Sequence, residues 1–328
     1  MKMNILETVY CFLSIFLIIP SIKGKEIVRP KRIKLIIFSV IFVANFITLY
    51  LDIFLKSPSF LIMNLSEFGS LLDCLHMLSA LIGSVLTQVC NNKLFYDIAK
   101  ALLSYRHLIV HLKLCESIIV LVSFLFTSVF IMFLYTGTFV WMTFKFPKID
   151  MLTQLFKMLV ELCNYYFIRM FLHHVKVLRC VFLDINSKLK ELFPKDLSSN
   201  KAILDNQCSK KLLNNLASIH STGCNLICKI NVAYSPQILF ILAKLFTSLI
   251  YLLFYQVCFM LFNPFSLEQL QLDILNLFFF LAIACNVLIW LEIAWTCRIT
   301  SYEVRYFRNI LLLKYKLITY HFLLFNRL

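Results

Sequence analysis

The chain has 328 residues, of which 61% are hydrophobic and only 15% are charged. Soluble domains average about 45–50% apolar and about 25% charged residues. A chain of the present composition has too few polar residues to cover a water-facing surface, which excludes a soluble globular enzyme as the default. Its 33 Phe and 14 Tyr residues equally exclude a disordered chain.

Six continuous apolar runs are long enough to cross a membrane, which takes about 20 helical residues. We expect these spans at residues 35–55, 68–90, 117–144, 151–172, 238–262 and 274–297. Because the runs are continuous and do not alternate with polar residues, helices are favoured over barrel strands. Two further apolar segments are shorter or interrupted: residues 5–20, and residues 309–326 with Lys314 and Lys316 near their middle.

The basic residues predict how these spans are oriented. Of the 32 Lys and Arg residues, twenty-six lie before the first span, after the second, after the fourth or after the sixth. Only three lie in the alternate connections, so the positive-inside rule predicts a cytoplasmic N-terminus. The net charge of +15 is therefore explained by basic residues in the cytoplasmic connections. It gives no indication of nucleic-acid binding.

The predicted organisation has five parts. They are a cytoplasmic N-terminal segment with a short apolar helix (1–34), spans 1 to 4 (35–172), a cytoplasmic helical extension (173–237), spans 5 and 6 (238–297), and a cytoplasmic link with a degenerate or truncated last helix (298–328). Within the extension, we expect the helix of span 4 to continue until Pro194 stops it. A second helix over 212–233 should then lead into span 5.

The predicted outer connections are too short for a folded ectodomain, so a ligand site must lie among the helices. Asn64 begins the sequence Asn-Leu-Ser in one of these connections and is a glycosylation candidate. The candidates for a pocket in the outer half of the bundle are Asp73, His76, Tyr135, Glu161, Tyr165 and Tyr255. The alternative reading is that these polar groups pair internally and fix helix register.

The sequence favours neither an enzyme nor a metal protein. No Gly-rich phosphate loop and no zinc-protease or serine-hydrolase motif is found. His220, Cys224 and Cys228 repeat every four residues and share a helix face, but no fourth ligand is evident. We expect free thiols, no metal and no cofactor.

The cytoplasmic extension carries a recognisable pattern. The stretch 181–189, VFLDINSKL, is followed by His220 and then by 230–239, INVAYSPQIL, at the entry to span 5. This pattern resembles the insect gustatory receptor family, whose members are related to insect odorant receptors. The resemblance covers most of the chain in layout, although it depends on few specific residues.

The resemblance implies a seven-helix subunit with a cytoplasmic N-terminus that assembles with like or related subunits into a tetrameric, tastant-gated, non-selective cation channel. It further implies that the last helix lines the pore, with Thr319 and Tyr320 matching the start of the family's final motif. Where that motif ends in Gln-Phe, this chain has Asn326 and Arg327. The last segment is therefore either a divergent final helix or a tail that does not line a pore, which would leave a non-conducting subunit.

A secondary transporter is the alternative from a different class. It predicts internal repeats, helices broken by Gly or Pro, and charges at the midplane of the membrane. No repeat is evident, and the six predicted spans carry no obvious proline break. The mostly apolar bundle further favours a modestly apolar ligand over a sugar.

Overall fold

A computed structural model describes residues 21–23, 26–28, 90–104, 151–192, 207–262 and 287–310, together with isolated helical positions between them. The described part of the chain is helical apart from one short hairpin. Its helices are α1 (Asn92–Ser104), α2 (Met151–Leu192), α3 (Gln207–Phe262) and α4, described over 287–310. The predicted helical class is thus confirmed for the described residues. The seven-helix bundle remains a prediction.

The two longest helices form the centre of the structure. α2 runs without a break through residue 172 and ends two residues before Pro194, as the sequence predicted. α3 likewise joins the predicted 212–233 helix to span 5 in one 56-residue helix. The two helices pack against each other over much of their length. The predicted continuation of span 4 and the predicted lead into span 5 are both confirmed as helix.

One hydrophobic core joins all four helices. α1 contributes Phe95, Ile98 and Leu102, which recur every three to four residues and are fully buried. α2 and α3 supply most of the remaining side chains, and α4 adds Ile293 and Phe307. α1 thus packs on α3, and it is part of the core although the sequence interpretation treated residues 91–116 only as a connection.

Two further features differ from the sequence interpretation. α4 continues to residue 310, whereas span 6 was expected to end at residue 297 and give way to a link. Strands β1 (Ser21–Lys23) and β2 (Glu26–Val28) form an antiparallel hairpin within the segment expected to hold only a helix and a basic loop. The intervening sequence is Gly-Lys, and Gly at the first position is typical of two-residue hairpin connections.

The exposed side chains of α3 change character along the helix. Between residues 211 and 231 they are mostly polar, with Asn214, Ser218 and Asn225 as examples. From residue 239 onward they are apolar, with Leu239, Phe246 and Ile250 at least half exposed. One stretch among the described residues, Lys211–Thr247, is long and apolar enough to cross a membrane.

The exposed side chains of α4 change from apolar to basic along the helix, the reverse of the order in α3. Leu288, Leu291 and Trp295 are all more than half exposed in its first part. Beyond them the exposed positions include Arg298, Arg305 and Arg308. α3 and α4 therefore each have one half with an apolar outer surface and one half with a polar or basic outer surface.

Close packing between α2 and α3 depends on one glycine. Gly223 faces the fully buried Phe182, and a Cβ atom at position 223 would lie 2.9 Å from Phe182 Cζ and 3.3 Å from Cε1. The ring cannot retreat freely because it also packs edge-on against His220 at 5.3 Å between centroids. Position 223 therefore allows the two helices to approach.

We expect Gly223→Val to lower the free energy of unfolding by about 2 kcal/mol, since overpacking a filled core costs about 1–3 kcal/mol. The measurement is thermal unfolding of the purified chain in detergent. Ser221→Val introduces the same side chain at an exposed position of the same helix and should change stability by less than about 0.5 kcal/mol. Equal effects of the two variants would contradict the close packing.

Candidate functional site: a buried polar seam

A seam of buried polar residues joins α2 to α3 and α4. Its first part is an ion-paired group in which Arg169 Nη1 lies 2.6 Å from Glu292 Oε2, and Lys176 Nζ lies 2.7 Å from Glu292 Oε1. Arg169 Nε also donates a 2.6 Å hydrogen bond to the Tyr165 hydroxyl. Two cations seven residues apart on α2 thus hold one carboxylate of α4.

Burial makes this group energetically important. The Arg169 side chain is 8% exposed, and the Glu292 and Lys176 side chains are each 26% exposed. Charges removed from water in this way are tolerated only when their partners and hydrogen bonds compensate the lost hydration. The group therefore fixes α4 laterally and lengthwise against α2.

The second part of the seam surrounds Tyr234 on α3. Its hydroxyl and His174 Nδ1 form a 2.9 Å hydrogen bond inside the core. Its ring lies 4.9 Å from that of Phe167, 5.1 Å from that of Phe95 and 5.6 Å from that of Phe171. Tyr234 consequently joins α1, α2 and α3 through one fully buried side chain.

The third part ties the far end of α4 to α2 and α3. Asn186 Nδ2 donates to the backbone carbonyl of Glu303 at 3.0 Å and to its Oε2 at 2.9 Å. His220 Nε2 lies 3.3 Å from the Val304 carbonyl, which only accepts, so this nitrogen carries the proton. The His220 ring also stacks on Phe307 at 4.1 Å.

Several buried polar atoms in the seam have no partner among the described residues. They include side-chain atoms of Asn164, His173 and Gln237, each at most 4% exposed. A buried polar group without a hydrogen bond costs about 1–3 kcal/mol. These positions are where a bound water or a polar ligand atom would lower the free energy of the bundle.

The adjacent histidines His173 and His174 are neutral at physiological pH. Burial lowers the pKa of His173 from 6.5 to about 4, and the positive charge of Lys176 acts in the same direction. Burial also holds the pKa of His174 well below 6.5, with a smaller contribution from His173. The folded chain therefore binds fewer protons than the unfolded chain between about pH 4 and about pH 6.5.

This difference predicts an acid-sensitive bundle. The histidine contribution to stability should be constant above about pH 7 and fall as the pH drops below about 6.5, and the part due to His173 should continue to fall until about pH 4. The drop in the pKa of His173 alone corresponds to about 3 kcal/mol over that range. Thermal unfolding of the wild type and of His173→Leu across this pH range provides the check, and an equally steep pH dependence in the variant would contradict it.

Most sequence-predicted site residues lie outside what the structure describes. Asn64, Asp73, His76, Tyr135, Thr319, Tyr320 and Asn326 fall outside the described residues. Glu161 belongs to α2 and Tyr255 to α3, but their side chains are not described. Tyr165 alone is placed: it is buried, and its hydroxyl accepts a hydrogen bond from Arg169.

The described residues include some of the cysteines and histidines for which the sequence predicted free thiols and a shared helix face. Cys224 and Cys228 are free thiols, as predicted. Cys224 Sγ lies 3.7 Å from His220 Nδ1, which confirms that these two residues share a helix face. Within the described ranges, no group of three or more potential metal ligands occurs.

The ion-paired group could not be found by motif searching, since its members are 116 to 123 residues apart. The available signal was the presence of Arg169 and Glu292 inside predicted spans, where an unpaired charge is costly. A comparison with protein-family models and with curated proteins finds no match to this chain.

Proposed function

We propose that the chain is a subunit of a chemosensory, ligand-gated cation channel of the gustatory receptor type. The observation that carries the proposal is the placement of the pattern on which the resemblance was based. Within 181–189 and 230–239, the residues that recur at helical spacing are the buried ones, including the polar Asn186, Tyr234 and Gln237. Asn231 and Leu239, which belong to the same pattern, are exposed, so the support comes from the buried positions alone.

The outer surfaces of α3 and α4 support a membrane location. Their apolar halves begin close to residue 238 and end close to residue 297, which are the limits predicted for spans 5 and 6. Exposed apolar surface on this scale is typical of contact with lipid or another protein. In the proposed topology the polar halves and most of the seam lie on the cytoplasmic side.

The proposed mechanism follows from how α4 is held. A ligand in the outer half of the bundle shifts the equilibrium only if it binds the open arrangement more tightly. Because Glu292 is bound to both Arg169 and Lys176, α2 and α4 transmit such a displacement together. The movement then reaches the segment that follows residue 310, which the resemblance assigns to the pore.

The test is whole-cell recording from cells that express the full chain at their surface, with modestly apolar bitter compounds and sugars applied in turn. A ligand-evoked, non-selective cation current supports the proposal. Asp73→Asn and His76→Ala should shift the half-maximal concentration about 10-fold or more by removing ligand contacts. Asp184→Asn, in a half-buried pair on α2, serves as the matched control.

Other results would overturn the proposal. Uptake of labelled compound without current indicates a transporter, and surface-expressed protein with neither current nor uptake indicates a non-conducting subunit. Responses confined to sugars would reject the apolar ligand. An epitope tag at the first residues should be stained only after permeabilisation, and bright staining of intact cells would reject the topology.

A further inference from the structure

A cavity of about 490 Å³ lies between α2, α3 and α4. Its volume is within the range of sites that hold small organic ligands. It is separate from the pocket candidates in the predicted outer half, because α4 contributes to it only from residue 297 onward. It is formed by the halves of α3 and α4 that have polar or basic outer surfaces.

The walls of the cavity differ in chemistry. α2 contributes Val175 and Leu178, and α3 contributes Ile227 and Ile230, so one side is apolar. The α4 side instead presents the hydroxyl group of Ser301 and the guanidinium groups of Arg305 and Arg308. The cavity is therefore amphipathic, with an apolar wall opposite a basic one.

Arg305 and Arg308 are three residues apart on α4 and are both exposed at the cavity. Neither guanidinium forms a salt bridge within the described part of the chain. Glu303, the acidic residue nearest in sequence, receives a hydrogen bond from Asn186 and does not line the cavity. Two guanidinium groups so placed favour an anion with several oxygens, because each presents a planar fork of donors.

We propose that this cavity binds an anionic amphiphile, namely an inner-leaflet phospholipid with a phosphorylated headgroup. The headgroup contacts Arg305 and Arg308, and the first part of an acyl chain lies against Val175 and Ile227. The position fits this ligand because the cavity begins at Cys297, where the surface of α4 turns from apolar to basic after the exposed Trp295, and the two arginines lie about 12–17 Å further along the helix, on its cytoplasmic side in the proposed topology. Basic residues directly inside a membrane span attract anionic lipids. The assignment of the leaflet rests on the proposed topology.

The test is a titration of the purified full chain in uncharged detergent with fluorescent phosphatidylinositol bisphosphate, followed by polarisation. We expect Arg305→Gln combined with Arg308→Gln to weaken binding about 10-fold or more, since hydrogen bonds to charged groups are strong. Arg298→Gln removes an exposed arginine of the same helix that does not line the cavity, and it should change the affinity by less than about 2-fold.

A second variant separates the cavity from general surface charge. Ile227→Trp fills the apolar side while keeping both arginines, and it should also weaken binding about 10-fold if the acyl chain enters. An unchanged affinity in Ile227→Trp, or an equal loss in Arg298→Gln, would overturn the proposal. All variants are compared by thermal unfolding, so that a binding loss is assigned only to chains that remain folded.

A competition experiment distinguishes the lipid from its soluble counterpart. Soluble inositol trisphosphate should displace the probe much less effectively than unlabelled phosphatidylinositol bisphosphate, because it lacks the apolar part. Equal displacement would reject an amphiphile in favour of a free phosphate ligand. Binding is measured without ion current, so a chain that binds lipid but does not conduct contradicts only the proposed function.

Discussion

Replacing Tyr234 by alanine is expected to lower the free energy of unfolding by about 4 kcal/mol. The side chain is fully buried and lies among rings from α1 and α2, including Phe95 and Phe167. Its removal leaves a cavity that three helices must collapse to fill. Thermal or chemical unfolding of the purified chain in detergent measures the loss.

Tyr234→Phe is the matched control for that substitution. It keeps the ring contacts and removes the hydroxyl with its hydrogen bond to His174, which should cost about 1–2 kcal/mol because the buried imidazole loses this partner. If the phenylalanine variant lost as much stability as the alanine variant, the hydrogen bond would dominate and the ring packing would contribute little. If neither lost stability, the packing of α1 and α2 around Tyr234 would be wrong.

The second large effect is expected for Glu292→Ala. It leaves Arg169, only 8% exposed, without its carboxylate partner, and breaking a buried ion pair on one side costs about 3–5 kcal/mol. Lys176 is more exposed and can reach solvent, so the loss of its bond to Glu292 contributes less to the destabilisation. The same unfolding measurement applies, and high salt should not reproduce the effect because buried pairs are poorly screened.

Two comparisons make this prediction specific. Asp184→Ala breaks the Asp184–Lys188 pair one turn apart on α2, where Lys188 is 40% exposed, and should cost less than about 1 kcal/mol. Glu292→Leu combined with Arg169→Met removes the buried charges on both sides and should recover much of the stability lost in Glu292→Ala. A double variant as unstable as Glu292→Ala would show that an uncompensated arginine is not the cause.

Periodicity in the sequence was sufficient to predict the long helices. Apolar residues such as Val175, Leu178 and Phe182 recur at helical spacing beyond span 4, and Pro194 lies where that spacing stops. These are local signals, because a helix satisfies its own backbone hydrogen bonds. The same reasoning explains why a helix over 212–233 that leads into span 5 could be predicted.

Elements with weaker signals were missed for identifiable reasons. The pattern Phe95, Ile98 and Leu102 is amphipathic, but it lies between two longer apolar runs and was taken as part of a connection. The continuation of α4 was missed because Arg298 was taken as the start of a link, although charged residues on an exposed face do not stop a helix. The pairing of β1 with β2 depends on three residues in each strand.

From the sequence, the buried seam could be predicted only as a set of charged residues whose burial in a membrane span costs free energy. Their partners could not be predicted. Arg169 and Glu292 lie within the predicted spans 4 and 6, but nothing in their local sequence says that they meet. Such contacts depend on how α2 and α4 are aligned lengthwise, and one helical turn of difference would separate them by about 5.4 Å. Tertiary packing, which periodicity does not encode, selects the partner.

Pro236 lies inside α3, close to the position where the exposed surface changes from polar to apolar. A proline within a helix removes one backbone hydrogen bond, so bending costs least there. One turn earlier, the Ala233 carbonyl accepts a 3.3 Å hydrogen bond from Asn91, immediately before α1. α3 therefore bends most easily at Pro236, close to the position where α1 is hydrogen-bonded to it. A tilt of one half of α3 at this proline would displace α1 as well.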